Sequence, residues 1–410
     1  MRPVHQRRTT CRGCSAAALS IFLELGPTPL ANSLSSSGDE IAPTYPLDVA
    51  LCSACGLVQL IDVIDAEVLF RDYVYVSGTS DTMQAHFATY ANDVADLLSL
   101  GPKDLVIEAA SNDGTLLRGL ARRAIRVLGV EPARNVAALA ESNGIPTLAE
   151  FFDESRGREI RRAHGPARAF IANNVLAHVD DPVDFLAGAR ELLTPDGRVF
   201  LEFPYLGSLV ERLEWDTIYH EHLSYFSATS VAALLRRAGL SALDVLVTSV
   251  HGGSIRVTAG LDGEPSRRWS ELLKNEAERG LGSLEVLTRF AGRVKENAEA
   301  LFELVSSCRR RGMRLAAYGA PAKSTTLTSY ARIDAHAIEF AVDKAPWKVG
   351  RFIPGARIPI RSVETLALER PDLALLFAWN FADEILRQQS AYRAAGGRFV
   401  VPIPVPKELP

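Results

Sequence analysis

The sequence predicts an α/β protein in which a small, cysteine-rich N-terminal domain precedes two Rossmann-like units. Short apolar strands alternate with helical segments between residues 105 and 203, and again between residues 314 and 380. Such alternation is typical of doubly wound parallel sheets. The chain has 410 residues, 47% of them hydrophobic and 23% charged, which suits two or three domains. We expect domains at 1–70, 71–262 and 312–410, with a helical connector at 263–311.

Two Cys-x-x-Cys pairs identify the N-terminal domain as a metal site. Cys11 and Cys14 form the first pair, and Cys52 and Cys55 form the second. Thiols spaced in this way lie on one tight turn, and two such turns supply the four ligands of a tetrahedral zinc site. Because four thiolates leave no open coordination position, we expect the zinc to be structural. A redox-active dithiol pair is the alternative that the spacing leaves open.

Composition argues against a nucleic-acid or membrane partner. The formal net charge is -4, and the run Arg309-Arg310-Arg311 is better explained as the solvated end of a helix than as a basic patch. The N-terminus lacks the apolar stretch of a signal peptide, and no run of about 18 apolar residues predicts a membrane span. Thiolate ligands and the unpaired Cys308 suit a reducing compartment. We therefore expect a cytoplasmic protein.

The turn after the first central strand predicts a cofactor site. The strand Leu105-Val106-Ile107 runs into Glu108 and the small polar turn Ser111-Asn112-Asp113-Gly114, where a new helix offers free N–H groups. Glu131 ends the following strand, at a position where an acid typically accepts hydrogen bonds from a ribose. Phe151 and Phe152 are placed to bracket a purine ring. Ordinary capping residues at a strand end are the alternative.

The charge of this turn favours S-adenosylmethionine over a dinucleotide. Only Gly114 remains of the Gly-x-Gly-x-x-Gly pattern of dinucleotide sites, and the turn has no basic residue to meet a pyrophosphate. The carboxylates of Glu108 and Asp113 suit the cationic ammonium and sulfonium groups of S-adenosylmethionine.

Residues 216–226 concentrate polar, titratable groups in the order Asp-Thr-Ile-Tyr-His-Glu-His-Leu-Ser-Tyr-Phe. A histidine beside a carboxylate can be held at a useful pKa for proton abstraction, which makes this segment a candidate for general-base chemistry. In a helix Tyr219 and His222 would share a face, and in a strand His220 and His222 would do so. The alternative is a hydrogen-bonded cluster at a domain junction.

The second Rossmann-like unit carries its own candidate site. The segment from Tyr318 to Lys323 follows a buried strand and opens a helix, so that backbone N–H groups and one lysine could cradle a pyrophosphate. Asp343 ends the next strand, where an acid could meet a ribose, and Lys344, Lys348 and Arg351 add positive charge. A Rossmann-like unit that has lost its ligand is the alternative.

These motifs resemble the S-adenosylmethionine-dependent C-methyltransferases of deoxysugar biosynthesis. Those enzymes combine a zinc domain, a central methyltransferase domain and a C-terminal α/β domain, and the resemblance covers nearly the whole chain. The turn Ala109-Ala110-Ser111 lacks the glycines of standard methyltransferase loops. Besides the motifs above, the resemblance rests on Asn173-Asn174-Val175-Leu176-Ala177-His178, Glu202-Phe203-Pro204-Tyr205 and His251-Gly252-Gly253-Ser254.

The resemblance implies a reaction and residue roles. The implied substrate is a dTDP-linked 4-keto-6-deoxy sugar that loses the proton at carbon 3 to a base, and the enolate then takes the methyl group of S-adenosylmethionine. His222 would be the base, with Glu221 as its neighbour. The other implied residues are Tyr219, His178 and either Tyr73 or Tyr75 at the keto sugar, Asn173 at the cofactor, and Tyr205, His251, Tyr318, Lys323 and Asp343 at the substrate. His220 and His251 are as readily structural as functional.

Other functions are compatible with the same residues. A methyltransferase acting on oxygen, nitrogen or carbon 5 of a sugar would use the same cofactor fold. An NAD(P)-linked oxidoreductase would bind its dinucleotide in the C-terminal unit, although the glycine pattern argues against it. A non-catalytic, zinc-anchored binding protein would leave the cluster of Tyr219 and His222 unexplained.

Overall fold

The computed structural model describes residues 3–71, 78, 81–248 and 252–409. Tyr73, Tyr75 and His251, which the sequence singles out, lie outside the described residues. Among the helices in these ranges, none combines the length and the hydropathy that a bilayer-spanning helix requires.

The N-terminal domain consists of short antiparallel strands beside the two cysteine turns. Its elements are β1 (His5–Arg7), β2 (Leu19–Glu24), β3 (Thr28–Pro29), β4 (Thr44–Tyr45), β5 (Asp48–Cys52), β6 (Val58–Leu60), β7 (Asp62–Ile64) and α1 (Ala66–Phe70). A distant strand, Ser224–Tyr225, adds to the edge of β6 in antiparallel register, with Ser224 opposite Gln59. The end of the histidine-rich segment is therefore part of this domain's sheet.

The central domain is built on a Rossmann-like sheet. Its elements are α2 (Asp81–Leu97), β8 (Leu105–Ala109), α3 (Thr115–Ala121), β9 (Arg126–Val130), α4 (Arg134–Ser142), β10 (Thr147–Leu148), α5 (Glu154–His164), β11 (Ala167–Asn173), α6 (Pro182–Leu192), β12 (Leu193–Pro204), α7 (Leu206–Arg212), β13 (Ser224–Tyr225), α8 (Ala228–Arg237), β14 (Ser241–Thr248) and β15 (Ser254–Gly260). The strand order is β10-β9-β8-β11-β12-β15-β14. All residues of β8 are buried, as expected for a strand covered on both faces.

The central sheet is mixed, which corrects the expectation of a wholly parallel one. The pairs from β10 to β12 are parallel, but β12 with β15 and β15 with β14 are antiparallel. Only residues 249–253 separate β14 from β15. A parallel crossover needs a dozen residues or more, so a connection of this length produces an antiparallel pair.

The connector is helical, as the sequence predicts. It comprises α9 (Arg267–Glu278) and α10 (Leu284–Arg310), which lie on either side of the glycine-containing break at 280–282. Ser266 and Ser283 cap the two helices by accepting hydrogen bonds from the backbone N–H groups of Trp269 and Val286.

The C-terminal domain repeats the order of the first five strands of the central sheet. Its elements are β16 (Leu315–Tyr318), α11 (Lys323–Tyr330), β17 (Ala341–Val342), β18 (Ile360–Arg361), α12 (Glu364–Glu369), β19 (Leu373–Leu376), α13 (Ala382–Gln388), α14 (Ser390–Ala394), β20 (Arg398–Val401) and β21 (Lys407–Leu409). The order β18-β17-β16-β19-β20-β21 has parallel pairs up to β20 and an antiparallel last strand. In both sheets the order reverses at the first strand, β8 or β16, where α/β proteins bind ligands.

The domains share one apolar core. Buried residues from the cysteine turns, the central sheet, α10 and the C-terminal sheet form a continuous cluster. At the first cysteine turn the packing is tight, because a Cβ atom at Gly13 would lie 2.7 Å from Cδ2 of Leu234 on α8. The N-terminal domain therefore packs directly against the central domain.

Candidate active site

A cavity of about 1050 Å³ lies where the carboxyl ends of the central strands face the C-terminal domain. The acidic turn after β8 forms one end of its wall, and Tyr318, Lys323 and Asp343 of the C-terminal domain form the other. Tyr219, His222 and His178 lie on the wall as well. One cavity thus brings together most of the residues that the sequence singles out.

The acidic turn presents a buried carboxyl group to this cavity. Glu108 is 4% exposed, and its Oε1 accepts a hydrogen bond from Nδ2 of Asn173 over 3.2 Å. Its Oε2 is buried and has no hydrogen-bond partner among the described residues. Burial raises the pKa of Glu108 well above its ordinary value, opposed by the Asn173 hydrogen bond. A cation is the partner that such a carboxylate lacks, so the residues present fit the ammonium group of S-adenosylmethionine.

Glu131 holds the shape of the turn. Its Oε2 accepts the backbone N–H of Asn112 over 2.9 Å, and its Oε1 accepts that of Ala133 over 2.9 Å. Asn112 has a φ of 51° and Gly114 a φ of 74°, conformations that ordinary residues rarely adopt. The carboxylate of Glu131 thus braces a strained turn and also lines the cavity.

Asp113 and Gly114 lie outside the described cavity walls, which differs from the prediction. Asp113 Oδ1 accepts hydrogen bonds from the backbone N–H and the hydroxyl of Thr115, at 3.3 and 2.7 Å. Arg118 lies 3.6 Å from its other oxygen. Asp113 therefore serves the start of α3, and its charge faces Arg118 rather than the cavity. Ser111 and Asn112, by contrast, lie on the cavity wall.

Aromatic side chains form the wall beside the turn. Phe152 packs on Phe170 and Phe185 with ring centroids 4.9 and 5.2 Å apart, and Phe151 lies next to it on the wall. Arg71 lies over the ring of Phe151, 4.7 Å from its centroid. Phe151 and Phe152 offer apolar rings to the cavity, and Phe152 is held in place by the rings packed behind it. Such a wall suits an aromatic ring of a ligand.

The histidine-rich segment forms neither a helix nor a long strand. The backbone N–H of His222 donates to the carbonyl of Tyr219 over 2.8 Å, so the two residues face each other across a turn. His222 Nδ1 donates to the carbonyl of Thr217 over 2.8 Å, and the Tyr219 hydroxyl lies 2.9 Å from His222 Nε2. Since a carbonyl can only accept, Nε2 of the neutral ring is the acceptor and receives the Tyr219 proton.

His178 lies beside this pair as a neutral ring. Its Nδ1 donates to the carbonyl of Glu221 over 2.7 Å, and its ring stands edge-on to His222 with centroids 5.0 Å apart. Phe70 of the N-terminal domain covers His178 at 5.4 Å. Burial lowers the pKa of His178 to about 4, despite the hydrogen bond to Glu221. At neutral pH this ring therefore adds no positive charge next to His222.

Glu221 and Tyr205 lie elsewhere than expected, and His220, for which the sequence leaves a structural and a functional role open, lies outside the described cavity walls. Glu221 is 2% exposed, and both of its carboxylate oxygens accept from Nδ2 of Asn32, at 2.7 and 3.0 Å, because the turn directs it into the N-terminal domain. His220 is 1% exposed and donates to the carbonyl of Pro46, which indicates a structural role. Tyr205 is buried outside the described cavity walls, where burial and the nearby Glu276 carboxylate raise the pKa of its phenol.

Lys323 on the C-terminal wall lies close to two buried acids of the central domain. Lys323 Nζ donates to Oδ1 of Asn380 over 2.8 Å and lies 3.9 Å from the centroid of the Trp379 ring. Burial lowers the pKa of Lys323, while the negative charges of Asp216 and Glu214 oppose that shift. Trp379 donates to Asp216 over 2.6 Å. The lysine that the sequence predicts as an anion ligand is thus held by its own partners at the cavity wall.

Asp343 occupies the same place in its sheet as Glu131 does in the central one. Its Oδ2 accepts the backbone N–H of Ala320 over 2.7 Å, and its Oδ1 accepts that of Ala345 over 2.9 Å. Lys348 Nζ lies 3.3 Å from Oδ2. The second unit therefore keeps the braced turn of a nucleoside-binding Rossmann-like unit.

Two residues on the cavity wall escape the sequence reasoning. Asn32 comes from the N-terminal domain, and nothing in its surroundings in the sequence distinguishes it. Trp347 follows the strand end at Asp343 and is 45% exposed. A tryptophan in a loop just after a strand end is the signal in the sequence that could have identified it.

The four cysteines converge as the spacing predicts. Their sulfur atoms all lie within 4.8 Å of one another, with Cys11 and Cys55 at 3.6 Å and Cys14 and Cys52 at 3.5 Å. Two thiolates on a tetrahedral zinc ion lie about 3.8 Å apart, so this set fits zinc. The backbone N–H of Gly13 and Nε2 of Gln59 donate to Cys11 Sγ, which stabilises a thiolate.

Comparisons with known proteins agree with this arrangement. Family models match the chain along most of its length: a zinc binding domain at 11–70, a methyltransferase domain at 83–245 and a C-methyltransferase C-terminal domain at 249–404. The chain is 37% identical over 414 residues to the C-methyltransferase NovU of Streptomyces niveus, and the match covers 100% of this chain and 98% of NovU.

Solved methyltransferase structures resemble less than half of the chain. An S-adenosylmethionine-dependent methyltransferase from Clostridium acetobutylicum is 13% identical, with 45% of this chain and 94% of that chain covered at a TM-score of 0.36. The magnesium protoporphyrin IX methyltransferase of Synechocystis with bound SAH is 19% identical, with 43% and 82% covered at a TM-score of 0.34.

Proposed function

The chain belongs to the family of S-adenosylmethionine-dependent C-methyltransferases, and we propose that it methylates carbon 3 of a dTDP-linked 4-keto-6-deoxy sugar through an enolate. Membership of this family excludes the oxidoreductase, the non-catalytic binding protein and the O- and N-methyltransferases that the sequence left open. Zinc belongs to the N-terminal domain and takes no part in the chemistry. The product would be a branched deoxysugar for a natural product.

One observation carries the proposal: the pair of Tyr219 and His222 lies on a cavity that has the cofactor turn at one end and the second Rossmann-like unit at the other. A methyl acceptor between these ends must be long enough to reach both. A sugar joined to a nucleoside diphosphate has that shape. The second unit would hold the nucleoside and the diphosphate, with Tyr318, Lys323 and Asp343 on its wall.

His222 is suited to remove the proton at carbon 3. Its Nδ1 is committed to the Thr217 carbonyl, so the lone pair of the neutral ring lies on Nε2, the atom that faces Tyr219. Protons next to a ketone are acidic because the electron pair moves onto the keto oxygen. The C–H bond breaks, the proton goes to Nε2, and the charge develops on that oxygen.

Tyr219 is suited to stabilise the charge on the keto oxygen. Its hydroxyl donates to His222 Nε2 in this structure; when it turns to donate to the keto oxygen instead, it frees the lone pair of Nε2 to take the substrate proton. A donor aimed at the developing oxyanion lowers the barrier to enolate formation. One of the tyrosines at 73 and 75 remains our predicted second donor, in a part of the chain outside the described residues.

S-Adenosylmethionine supplies an electrophilic methyl group for the enolate carbon. With the cofactor bound, the carbon–carbon bond would form as the carbon–sulfur bond breaks, so that S-adenosylhomocysteine leaves and the substrate exchanges one hydrogen for a methyl group, its proton being released through His222. Glu108, Asn173 and Glu131 would orient the cofactor at the turn after β8, with Ser111, Asn112 and Phe152 around it. Positioning is the main requirement of this step.

The test is incubation of the protein with S-adenosylmethionine and a dTDP-linked 4-keto-6-deoxy sugar in deuterated water, with the product read by mass spectrometry and NMR. We expect a new methyl group on carbon 3, and deuterium at carbon 3 when the cofactor is omitted. His222→Asn should lower both rates by about 10²- to 10⁴-fold, the usual contribution of a general base. His164→Asn is the matched control, since His164 is exposed at the end of α5.

Other outcomes would change the assignment. A methyl group on carbon 5 would mean that the proton is removed from the carbon on the other side of the ketone. Exchange that survives in His222→Asn would assign the base to another residue. An unmodified sugar with every keto-sugar tested would reject the substrate class but not the family.

A further inference from the structure

The first cysteine turn of the zinc domain reaches the wall of the cavity. Arg12 lies between Cys11 and Cys14, and its side chain is fully buried. Its Nη1 donates to Oδ1 of Asp180 over 2.9 Å, and its Nη2 donates to the carbonyl of Leu60. Asp180 lies on the cavity wall, two residues after His178.

The backbone of Arg12 is tied to the metal site as well. Its N–H donates to Oε1 of Gln59 over 3.0 Å, and Nε2 of the same glutamine donates to Cys11 Sγ over 3.1 Å. One residue therefore connects the thiolate cluster with the cavity-lining turn through hydrogen bonds at both of its ends. A surface residue with an incidental ion pair would not be anchored in this way.

A second set of contacts ties the same domain to the other side of the histidine pair. Asn32 donates to both oxygens of Glu221, the residue whose carbonyl accepts from His178. The backbone N–H of Leu60 donates to the carbonyl of Leu223 over 3.0 Å, just after His222. His178 and His222 thus stand between two attachments to the N-terminal domain.

Because its side chain is buried, Arg12 cannot exchange its hydrogen-bond acceptors for water. A guanidinium keeps its charge in proteins, and a charge buried without a partner is costly, so Arg12 must keep its acceptors within reach. Asp180 is half exposed and also pairs with Arg8, whose side chain is 28% exposed. Arg8 Nη1 donates to both oxygens of Asp180, at 2.9 and 3.0 Å, but its partly exposed side chain is held less firmly than the fully buried guanidinium of Arg12.

We propose that Arg12 is a positioning residue for the methyl-transfer site: through Asp180 it fixes the turn 174–180 and so holds His178 against His222. The inference rests on the function proposed above, because that function gives the two histidines their task. The zinc domain then does more than fold beside the enzyme, since its first metal-binding turn sets the geometry of the base.

Two variants and their combination test the proposal. Asp180→Asn removes the charge at a half-exposed position with little change of shape, and Arg12→Met removes the buried guanidinium. Each should lower kcat at least 10-fold with less than a 3-fold change in KM, and each should speed amide deuterium uptake at 174–182 at least 10-fold. The double variant should be no worse than the worse single variant, because both remove the same connection.

Controls separate this role from general damage. Zinc content by elemental analysis and the Kd for S-adenosylmethionine should stay at wild-type values in Asp180→Asn. Arg8→Gln, which removes the exposed partner of the same carboxylate, should keep more than half of kcat and the wild-type deuterium uptake. Because deuterium uptake needs no sugar, it tests the positioning role even if the sugar substrate proves wrong.

Several results would overturn the proposal. Unchanged deuterium uptake at 174–182 in Asp180→Asn would show that the ion pair does not hold the turn. Equal losses of kcat in Arg8→Gln and Arg12→Met would mean that only the charge near Asp180 matters and that the buried contact of Arg12 has no special role. Full additivity of the two losses in kcat would show that Arg12 and Asp180 act separately.

Discussion

The hydroxyl of Tyr219 donates to Nε2 of His222 over 2.9 Å, while Nδ1 of the same ring donates to the carbonyl of Thr217. The backbone thereby selects the tautomer, and the phenol marks the atom on which a substrate proton would arrive. The ring centroids are 4.1 Å apart, so neither side chain can move far without the other. The proposed base and the proposed oxyanion donor are thus held together by a single turn.

Tyr219→Phe tests the donor half of this unit. The variant keeps the ring that packs on His222 but has no proton to give to the keto oxygen. We expect kcat to fall by about 100-fold, the lower end of the loss when one donor to a developing oxyanion is removed. Deuterium exchange at carbon 3 should fall in parallel, measured by NMR without the cofactor.

The control for this substitution is Tyr330→Phe, whose ring packs on Trp215 away from the described cavity walls. It should keep wild-type kcat. If Tyr219→Phe slowed methylation but left exchange intact, the phenol would act after the enolate forms, and the assignment as enolate donor would be wrong.

The pH dependence of stability tests the burial of His178. Burial lowers the pKa of this residue to about 4, whereas an unfolded histidine titrates near about 6.5. Because the unfolded state binds the proton more tightly, the contribution of the neutral ring is fully present above about pH 6.5 and is lost as the pH falls towards 4. The free energy of unfolding should lose up to about 3 kcal/mol over that range.

Urea denaturation at pH 7.5 and 5.0 measures this loss. Between these values the wild type should lose about 2 kcal/mol more than His178→Gln, because glutamine has no proton to take up. His164→Gln, changed at an exposed histidine, should behave like the wild type. An identical pH dependence in His178→Gln and the wild type would mean that His178 is not buried as a neutral ring.

The braced acids of the two Rossmann-like units make a matched pair of variants. Glu131 and Asp343 each accept hydrogen bonds from two backbone N–H groups. One N–H belongs to the turn after the first strand of the same Rossmann-like unit, and the other belongs to the residue two positions after the acid itself. Glu131→Ala should weaken S-adenosylmethionine binding at least about 10-fold, since hydrogen bonds to a charged group are lost from the cofactor turn. Asp343→Ala should weaken thymidine diphosphate binding by a similar factor.

Calorimetric titration of each variant with both ligands separates the sites. Each variant should keep wild-type affinity for the ligand of the other unit, which also serves as its control for folding. Loss of both affinities in either variant would mean that the units do not bind their ligands independently, and it would contradict the division of the cavity that we propose.

Much of the fold follows from local patterns, and the exceptions have a physical reason. Buried apolar runs such as Leu105-Val106-Ile107 identify strands without reference to the rest of the chain. The antiparallel direction of β15 depends on strand pairing across the sheet, which such patterns do not specify. The addition of Ser224–Tyr225 to β6 joins segments about 165 residues apart, and no local signal indicates it.

The candidate site shows the same limit. Glu108 and Glu131 were found because strand ends place acids at predictable positions. Asp113 could not be assigned in this way, because only the structure shows that its carboxylate serves Thr115 and Arg118. The sequence places Glu221 next to the proposed base, but in the fold its carboxylate accepts from Asn32, 189 residues earlier in the chain.

Trp347 is 45% exposed at the end of the cavity that the C-terminal domain forms. It lies in the turn 346–348, shortly after the braced Asp343. An aromatic side chain there can stack on a nucleobase, and such stacking is worth about 1–3 kcal/mol per base in alanine substitutions. Trp347→Ala should therefore raise KM for the sugar nucleotide by about 10-fold while kcat stays within about 2-fold, because the proposed reacting carbon lies beside His222 rather than beside Trp347.

Steady-state kinetics and tryptophan fluorescence check this prediction together. Thymidine diphosphate should quench part of the wild-type fluorescence, and this quenching should be lost in Trp347→Ala. The control is Leu368→Ala, which changes a side chain that is 80% exposed outside the described cavity walls and should leave KM unchanged. A fall in kcat at constant KM would contradict stacking, since it would place Trp347 at the reacting sugar rather than at the base.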